Sequence, residues 1–212
     1  MAADGFPPER SFVKPNFVRP SPVAQTQTED VVVYAGRLTE SKGVHTLIDA
    51  WDAYCSRSPR SSLRLVVAGA GPLQQRVAAW AAARPSVEFA GMLSPEACRS
   101  LMARARAVIA PSQWEETFGL VIVEAMAVGV PSVASNHGSF PELIQDGVDG
   151  VLVDPGNAHT LAAVLQDIEV QPERYRALGH AARRTYEKRF TVDANVEQLL
   201  RIYQFAIRQP AP

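Results

Sequence analysis

Six short runs of Val, Ile, Leu and Ala, separated by segments of helical spacing, constrain this chain more than any other feature. They are Val31 to Arg37, Leu63 to Gly69, Val87 to Gly91, Ala107 to Pro111, Pro131 to Ser135 and Gly150 to Val153. Each is too short and too uniformly apolar to be a half-exposed hairpin strand. Between them lie helix-patterned stretches at Val44 to Tyr54, Pro72 to Ala83, from Ser94-Pro95, Gly119 to Val128 and around Pro141 to Gln145. Further helices are expected at Ala158 to Glu169, Pro172 to Arg189 and Val192 to Arg208. Strands buried on both faces and alternating with helices mean a parallel sheet covered on both sides. The expected fold is therefore α/β, a Rossmann-like doubly wound sheet of about six strands with extra C-terminal helices. In such sheets ligands bind beyond the carboxyl ends of the strands, so chemistry is sought in the turns that follow each run.

Composition narrows the function. A net charge of −1 without a basic stripe argues against a nucleic-acid surface. No apolar run approaches the roughly 20 residues that span a bilayer, and the first ten residues lack a basic-then-apolar signal pattern. The two cysteines, Cys55 and Cys98, fall in helical segments without metal spacing. They read as buried, reduced thiols of a cytoplasmic protein. Residues 1–29, with five prolines and little periodicity, read as a linker; 30–190 read as the unit that contains the sheet, and 191–212 as a final helix.

Several post-strand turns carry charged or glycine-rich motifs. Gly36-Arg37 and Lys42-Gly43 put two cations around one turn, able to converge on a diphosphate; taken alone they also fit a solvated loop. Gly69-Ala-Gly71 follows the second run, but Gln74 stands where a dinucleotide fingerprint has its third glycine. Close backbone approach to some ligand is all it implies. Phe118-Gly119-Leu120 opens a helix, where free N–H groups favour an anion.

Glu116 and Glu124 flank this turn, and Glu124 sits in a helix apolar on almost every side. A carboxylate there needs a partner: a ribose diol, a structural Arg or a backbone N–H. Glu115 reads as a solvated neighbour, and His45, His159 and His180 as surface or capping residues. His137, after the fifth run, fits a ligand contact or a structural role. No metal-ligand spacing and no nucleophile motif stands out. Hydroxyl-binding carboxylates beside phosphate-binding groups suit a nucleotide sugar.

Together these motifs resemble the C-terminal, donor-binding half of a retaining glycosyltransferase of the GT-B fold, family four. The resemblance rests on Lys14-Pro-Asn16-Phe-Val18, Gly36-Arg37 to Lys42-Gly43, Val67-Ala-Gly69-Ala-Gly71-Pro72 and Phe89-Ala-Gly91. Glu116 to Glu124 with Ala125-Met126 and Gly129-Val-Pro131 follows, then Gly138-Ser-Phe-Pro141-Glu142 with Gly147 and Gly150. It implies that Arg37 and Lys42 grip the diphosphate and that Gly36, Phe118, Gly119 and Leu120 cradle phosphates or sugar. Glu116 would hold hydroxyls of the transferred sugar, Glu124 the ribose, and main chain near Met92 and Leu93 the base, with Gly69 and Gly71 close by. No obligatory metal or cofactor is implied.

The family's usual second glycine after the fifth strand is Ser139 here. A full member also begins with an acceptor-binding domain. Residues 1–29 then read as the end of that domain, and the last helix would cross back to it. Its apolar positions Val196, Leu199, Leu200, Ile202, Tyr203 and Phe205 would be partly uncovered. The acceptor domain or a partner chain completes the enzyme, with any peripheral membrane contact made only through that half. The rival expectation is a non-catalytic nucleotide-binding or interaction module.

Overall fold

The computed structural model describes residues 11–20 and 28–208; expectations for 1–10, 21–27 and 209–212 lie outside the described residues. Six strands form one sheet: β1 (Val31–Ala35), β2 (Arg64–Ala68), β3 (Val87–Gly91), β4 (Ala107–Ala110), β5 (Ser132–Ser135) and β6 (Gly150–Val153). Their order is β3-β2-β1-β4-β5-β6 and every pairing is parallel. The chain therefore winds outward in one direction from β1, returns, and winds outward in the other from β4. The two central strands diverge above their carboxyl ends, and a crevice opens there.

Alternation along each strand splits the core between the two faces. Val32, Tyr34, Leu65, Val67 and Ile109 point to the face covered by α1 (Val44–Arg57), α2 (Gln74–Ala82) and α6 (Ala158–Val170), around the fully buried Trp51 and Tyr54. Val31, Val33, Val66 and Val108 point to the other face, under α3 (Pro95–Met102) and α4 (Leu120–Ala127). There α7 (Pro172–Arg189) packs against α4, and Tyr186 and Phe190 join the cluster of Ile122, Val123 and Met126.

Ser94 caps α3 as its sequence position predicts, its Oγ accepting from Ala97 N at 3.1 Å. Two helices start elsewhere than expected. α2 begins at Gln74 rather than Pro72, because Leu73 N donates to Leu38 O at 3.0 Å and holds the chain on the turn after β1. α5 runs Phe140–Leu143 instead of Pro141 to Gln145, and Ile144 is extended where it leads toward β6.

Residues 11–20 have no helix or strand, yet they are anchored. Val18 N donates to Phe190 O at 3.1 Å and Tyr186 Oη to Val18 O at 2.9 Å. Buried Asn195, in α8 (Val192–Arg208), donates to Pro15 O at 2.6 Å and accepts from Lys14 Nζ at 2.9 Å. Gln198 Nε2 reaches Val13 O at 2.7 Å, and Phe12 meets Phe205 edge-on at 4.9 Å. Leu199, Ile202 and Phe205 are thus half-buried, whereas Val196, Leu200 and Tyr203 stay exposed. Asn195→Ala should cost about 1–3 kcal/mol, two hydrogen bonds of about 0.5–1.5 kcal/mol each. Hydrogen exchange should show the Val18 amide opening before the sheet; unchanged protection there would refute the anchoring role.

Candidate functional site

The turns after β1, β2, β3 and β4 meet above the centre of the sheet and enclose two neighbouring cavities. One, of about 340 Å³, is bounded by Gly36, Arg37, Lys42, Ser112, Glu116 and the stretch Thr117 to Val121. The other, of about 300 Å³, is bounded by Gly69, Ala70, Met92, Leu93, Cys98 and Glu124. Ala35, Gly36 and Arg37 wall both. A ligand with two chemically different ends fits across this shared lip.

Close approach of two turns builds the lip. Gly69 has φ 145°, and a Cβ there would stand 1.8 Å from Gly36 O. Gly36 N in turn donates to Ala68 O at 3.0 Å. Only glycine permits this contact at position 69, which accounts for the first glycine of Gly69-Ala-Gly71. Gly71 does not join the site: it packs against the backbone of Leu38, outside both cavity walls. The Arg37 carbonyl accepts from the buried Tyr34 phenol at 2.9 Å. Burial pushes that phenol's pKa up, and the Glu116 charge adds to the effect. The Arg37 guanidinium is exposed and makes no hydrogen bond or ion pair among the described residues.

In the first cavity, three turns position Glu116. Its Oε1 accepts from Ser112 Oγ at 2.8 Å and forms an ion pair with Lys42 Nζ. Gln113 N and Trp114 N donate to Ser41 O at 2.9 and 3.2 Å, fastening the Lys42 turn to the Glu116 loop. From the turn after β5, Ser139 N donates to Glu116 O at 3.2 Å, and a Cβ on Gly138 would lie 2.8 Å from Glu116 N. His137 Nε2 lies 3.0 Å from Ser112 O and lines neither cavity. Gly119, at φ 84°, precedes α4 without a side-chain cap, so the helix presents its first N–H groups and positive dipole end to this cavity.

Glu124 occupies the second cavity from the middle of α4. It has no hydrogen-bond or ion-pair partner among the described residues. Desolvation raises its pKa, opposed by the more distant charge of Arg99 on α3. The structural partners expected as alternatives are therefore not in contact with it. Cys98 is half-buried rather than buried, in the wall facing Glu124, and burial together with that carboxylate pushes its thiol up. Glu115 and the side chains of His159 and His180 are exposed.

Sequence reasoning missed Ser112, Tyr34 and Cys98 as parts of the site. Ser112 alone left a signal, a buried polar residue directly beyond an apolar strand. A larger cavity of about 620 Å³ lies between residues 13–16, α5 and α8. Its charged groups are largely satisfied within the protein, as in Arg201 with Glu197 and Arg189 with Glu142 O. Among the described residues, no three His, Cys, Asp or Glu side chains cluster as metal ligands, and no helix is long and apolar enough to cross a membrane.

Residues 20–185 match the family Glycosyl transferases group 1. The chain is 33% identical over 187 residues to D-inositol 3-phosphate glycosyltransferase of Corynebacterium kroppenstedtii, covering 84% of this chain and 41% of that protein. It is 35% identical over 182 residues to phosphatidyl-myo-inositol mannosyltransferase of Mycobacterium tuberculosis, covering 82% of this chain and 46% of that one. It thus spans less than half the length of these relatives. The solved structure of Anabaena HepE in complex with UDP-glucose superposes with a TM-score of 0.72 at 28% identity, covering 85% of this chain and 49% of that one. The C-terminal domain of a group 1 glycosyl transferase from Francisella tularensis shares the fold, with a TM-score of 0.68 at 21% identity over 82% of this chain and 96% of that domain. The chain belongs to the glycosyl transferases group 1 family.

Proposed function

We propose that this chain is the donor-binding part, the C-terminal half, of a retaining family-four glycosyltransferase, acting on a nucleoside-diphosphate sugar. One observation carries the reading: a cationic cavity at a helix N-terminus shares the Gly36-Arg37 lip with a cavity holding a half-buried, unpaired carboxylate. The diphosphate lies across the lip, between the Arg37 guanidinium, the Lys42 ammonium and the N–H groups at the start of α4. The ribose hydroxyls donate to Glu124, and the base rests on main chain beside Met92 and Leu93. The transferred sugar points into the first cavity, its hydroxyls toward Glu116. The complex of HepE with UDP-glucose supports this class of ligand.

Transfer breaks the bond between the anomeric carbon and a phosphate oxygen, and an acceptor oxygen takes that place with retained configuration. Negative charge develops on the departing nucleoside diphosphate. Arg37, Lys42 and the α4 dipole are placed to stabilise it, with no obligatory metal. The acceptor is held by a separate domain, so this chain by itself binds donor and transfers little sugar.

Calorimetric titration with UDP, GDP and ADP, without added metal, tests the assignment. Saturable binding of one nucleotide is expected, with Arg37→Ala and Lys42→Ala each weakening it about tenfold or more, the range of a charged hydrogen bond. A folded chain that binds none would sink the donor-site reading.

Glu124 makes a second prediction, with opposite signs for stability and binding. Its folded pKa lies above the unfolded value, so the ionised form costs stability at neutral pH. That cost disappears as pH falls through the folded pKa toward the unfolded one. Glu124→Gln should therefore melt higher than the parent at neutral pH, with the gap closing on acidification. It should also bind the ribonucleotide about tenfold more weakly, for loss of a charge-assisted hydrogen bond, and bind the 2′,3′-dideoxy analogue unchanged. Equal loss for both nucleotides would remove the ribose contact from the assignment.

A further inference from the structure

We propose that Glu116 makes this site select the sugar-bearing donor over the spent nucleoside diphosphate, holding Lys42 as its counter-ion whenever the site is empty. The inference rests on the donor-site reading above and goes beyond it, from what binds to what is turned away.

Two features of the Glu116 carboxylate carry it. Its side chain is only 17% exposed, against 37% for Lys42, so its charge is weakly screened toward the cavity. Both of its contacts fall on one oxygen: the Lys42 ammonium and the Ser112 hydroxyl meet Oε1, while Oε2 has no partner among the described residues. The Ser112 hydroxyl is itself buried and also lies 3.0 Å from Ser41 O. A carboxylate so fastened keeps its position whether or not a ligand is present.

The two ligands meet this charge differently. In a nucleotide sugar the terminal phosphate carries an anhydride and a sugar ester and has a single negative charge, and the attached sugar brings hydroxyl donors to Oε2. After transfer that phosphate keeps only the anhydride, its second proton leaving with a pKa of about 6, and the hydroxyls are gone. The product is more negative and must take Lys42 from Glu116 while lying beside an uncompensated carboxylate. Like charges in a partly dehydrated site repel strongly. The ion pair with Lys42 re-forms as the product leaves.

The test is the ratio of affinities for the two ligands, measured by calorimetry on the intact chain. The probes are UDP with UDP-glucose, GDP with GDP-mannose and ADP with ADP-glucose, continuing with whichever pair the parent protein binds. In Glu116→Gln the amide keeps the shape of the side chain and its hydrogen bonding to Ser112. This variant should bind the nucleoside diphosphate about tenfold more tightly, the scale of one removed charge repulsion. It should bind the nucleotide sugar no more tightly than the parent, so the preference for the sugar-bearing ligand falls.

A measurement on the parent alone guards against a variant that misfolds. The parent itself should bind the nucleotide sugar more tightly than the nucleoside diphosphate. Binding of no pair by the folded parent would overturn the donor-site reading itself. Binding by the parent with no preference for the nucleotide sugar, or with no gain for the diphosphate in Glu116→Gln, would overturn the selectivity role alone. An equal gain for both ligands would do the same, since Glu116 would then repel phosphate without recognising sugar.

Discussion

Parallel pairing sends the carboxyl end of every strand to the same edge of the sheet, and the rest of this molecule depends on that constraint. Six short apolar strands in the order β3-β2-β1-β4-β5-β6 put the turns after β1, β2, β3, β4 and β5 side by side. Residues as far apart in sequence as Lys42, Glu116 and Ser139 then meet within hydrogen-bonding reach of one another's loops. In an antiparallel sheet the same turns would be divided between opposite edges. The reversal of winding between β1 and β4 adds the crevice in which both cavities open.

Within that frame, packing and chemistry share the same contacts. Gly69 against Gly36 O brings the β1 and β2 turns close enough to form a lip between two cavities. Ser41 O, which accepts from Gln113 N and Trp114 N, joins the cationic turn to the acidic loop. The site is therefore rigid where charge must be placed. Two charges lie outside this network: the exposed Arg37 guanidinium, and Glu124, desolvated within an otherwise apolar helix and left without a partner among the described residues. Carboxylates desolvated in a cleft in this way concentrate at functional sites.

Much of this was legible from residues alone. The apolar runs located all six strands, because strands buried on both faces advertise themselves by composition. Ser94-Pro95 located the start of α3, and the carboxylate in α4 stood out because nothing around it was polar. Helix starts at Gln74 and Phe140 were less legible, since a tertiary hydrogen bond to Leu38 O and local backbone geometry decide them. The packing of residues 11–20 was illegible for a related reason. It depends on side-chain amides of Asn195 and Gln198 reaching main-chain carbonyls 180 and 185 positions away, and no periodicity records such pairs.

The sequence by itself determined the class of fold, the edge at which the site lies and the chemical character of its groups, because burial and helix-terminus effects act locally along the chain. Tertiary structure alone decided that Arg37 stands between two cavities, that Gly71 stays out of them, and that Glu116 holds Lys42 while Glu124 holds no group among the described residues. Those outcomes depend on distances between separate turns, and such distances are set only when the sheet has assembled.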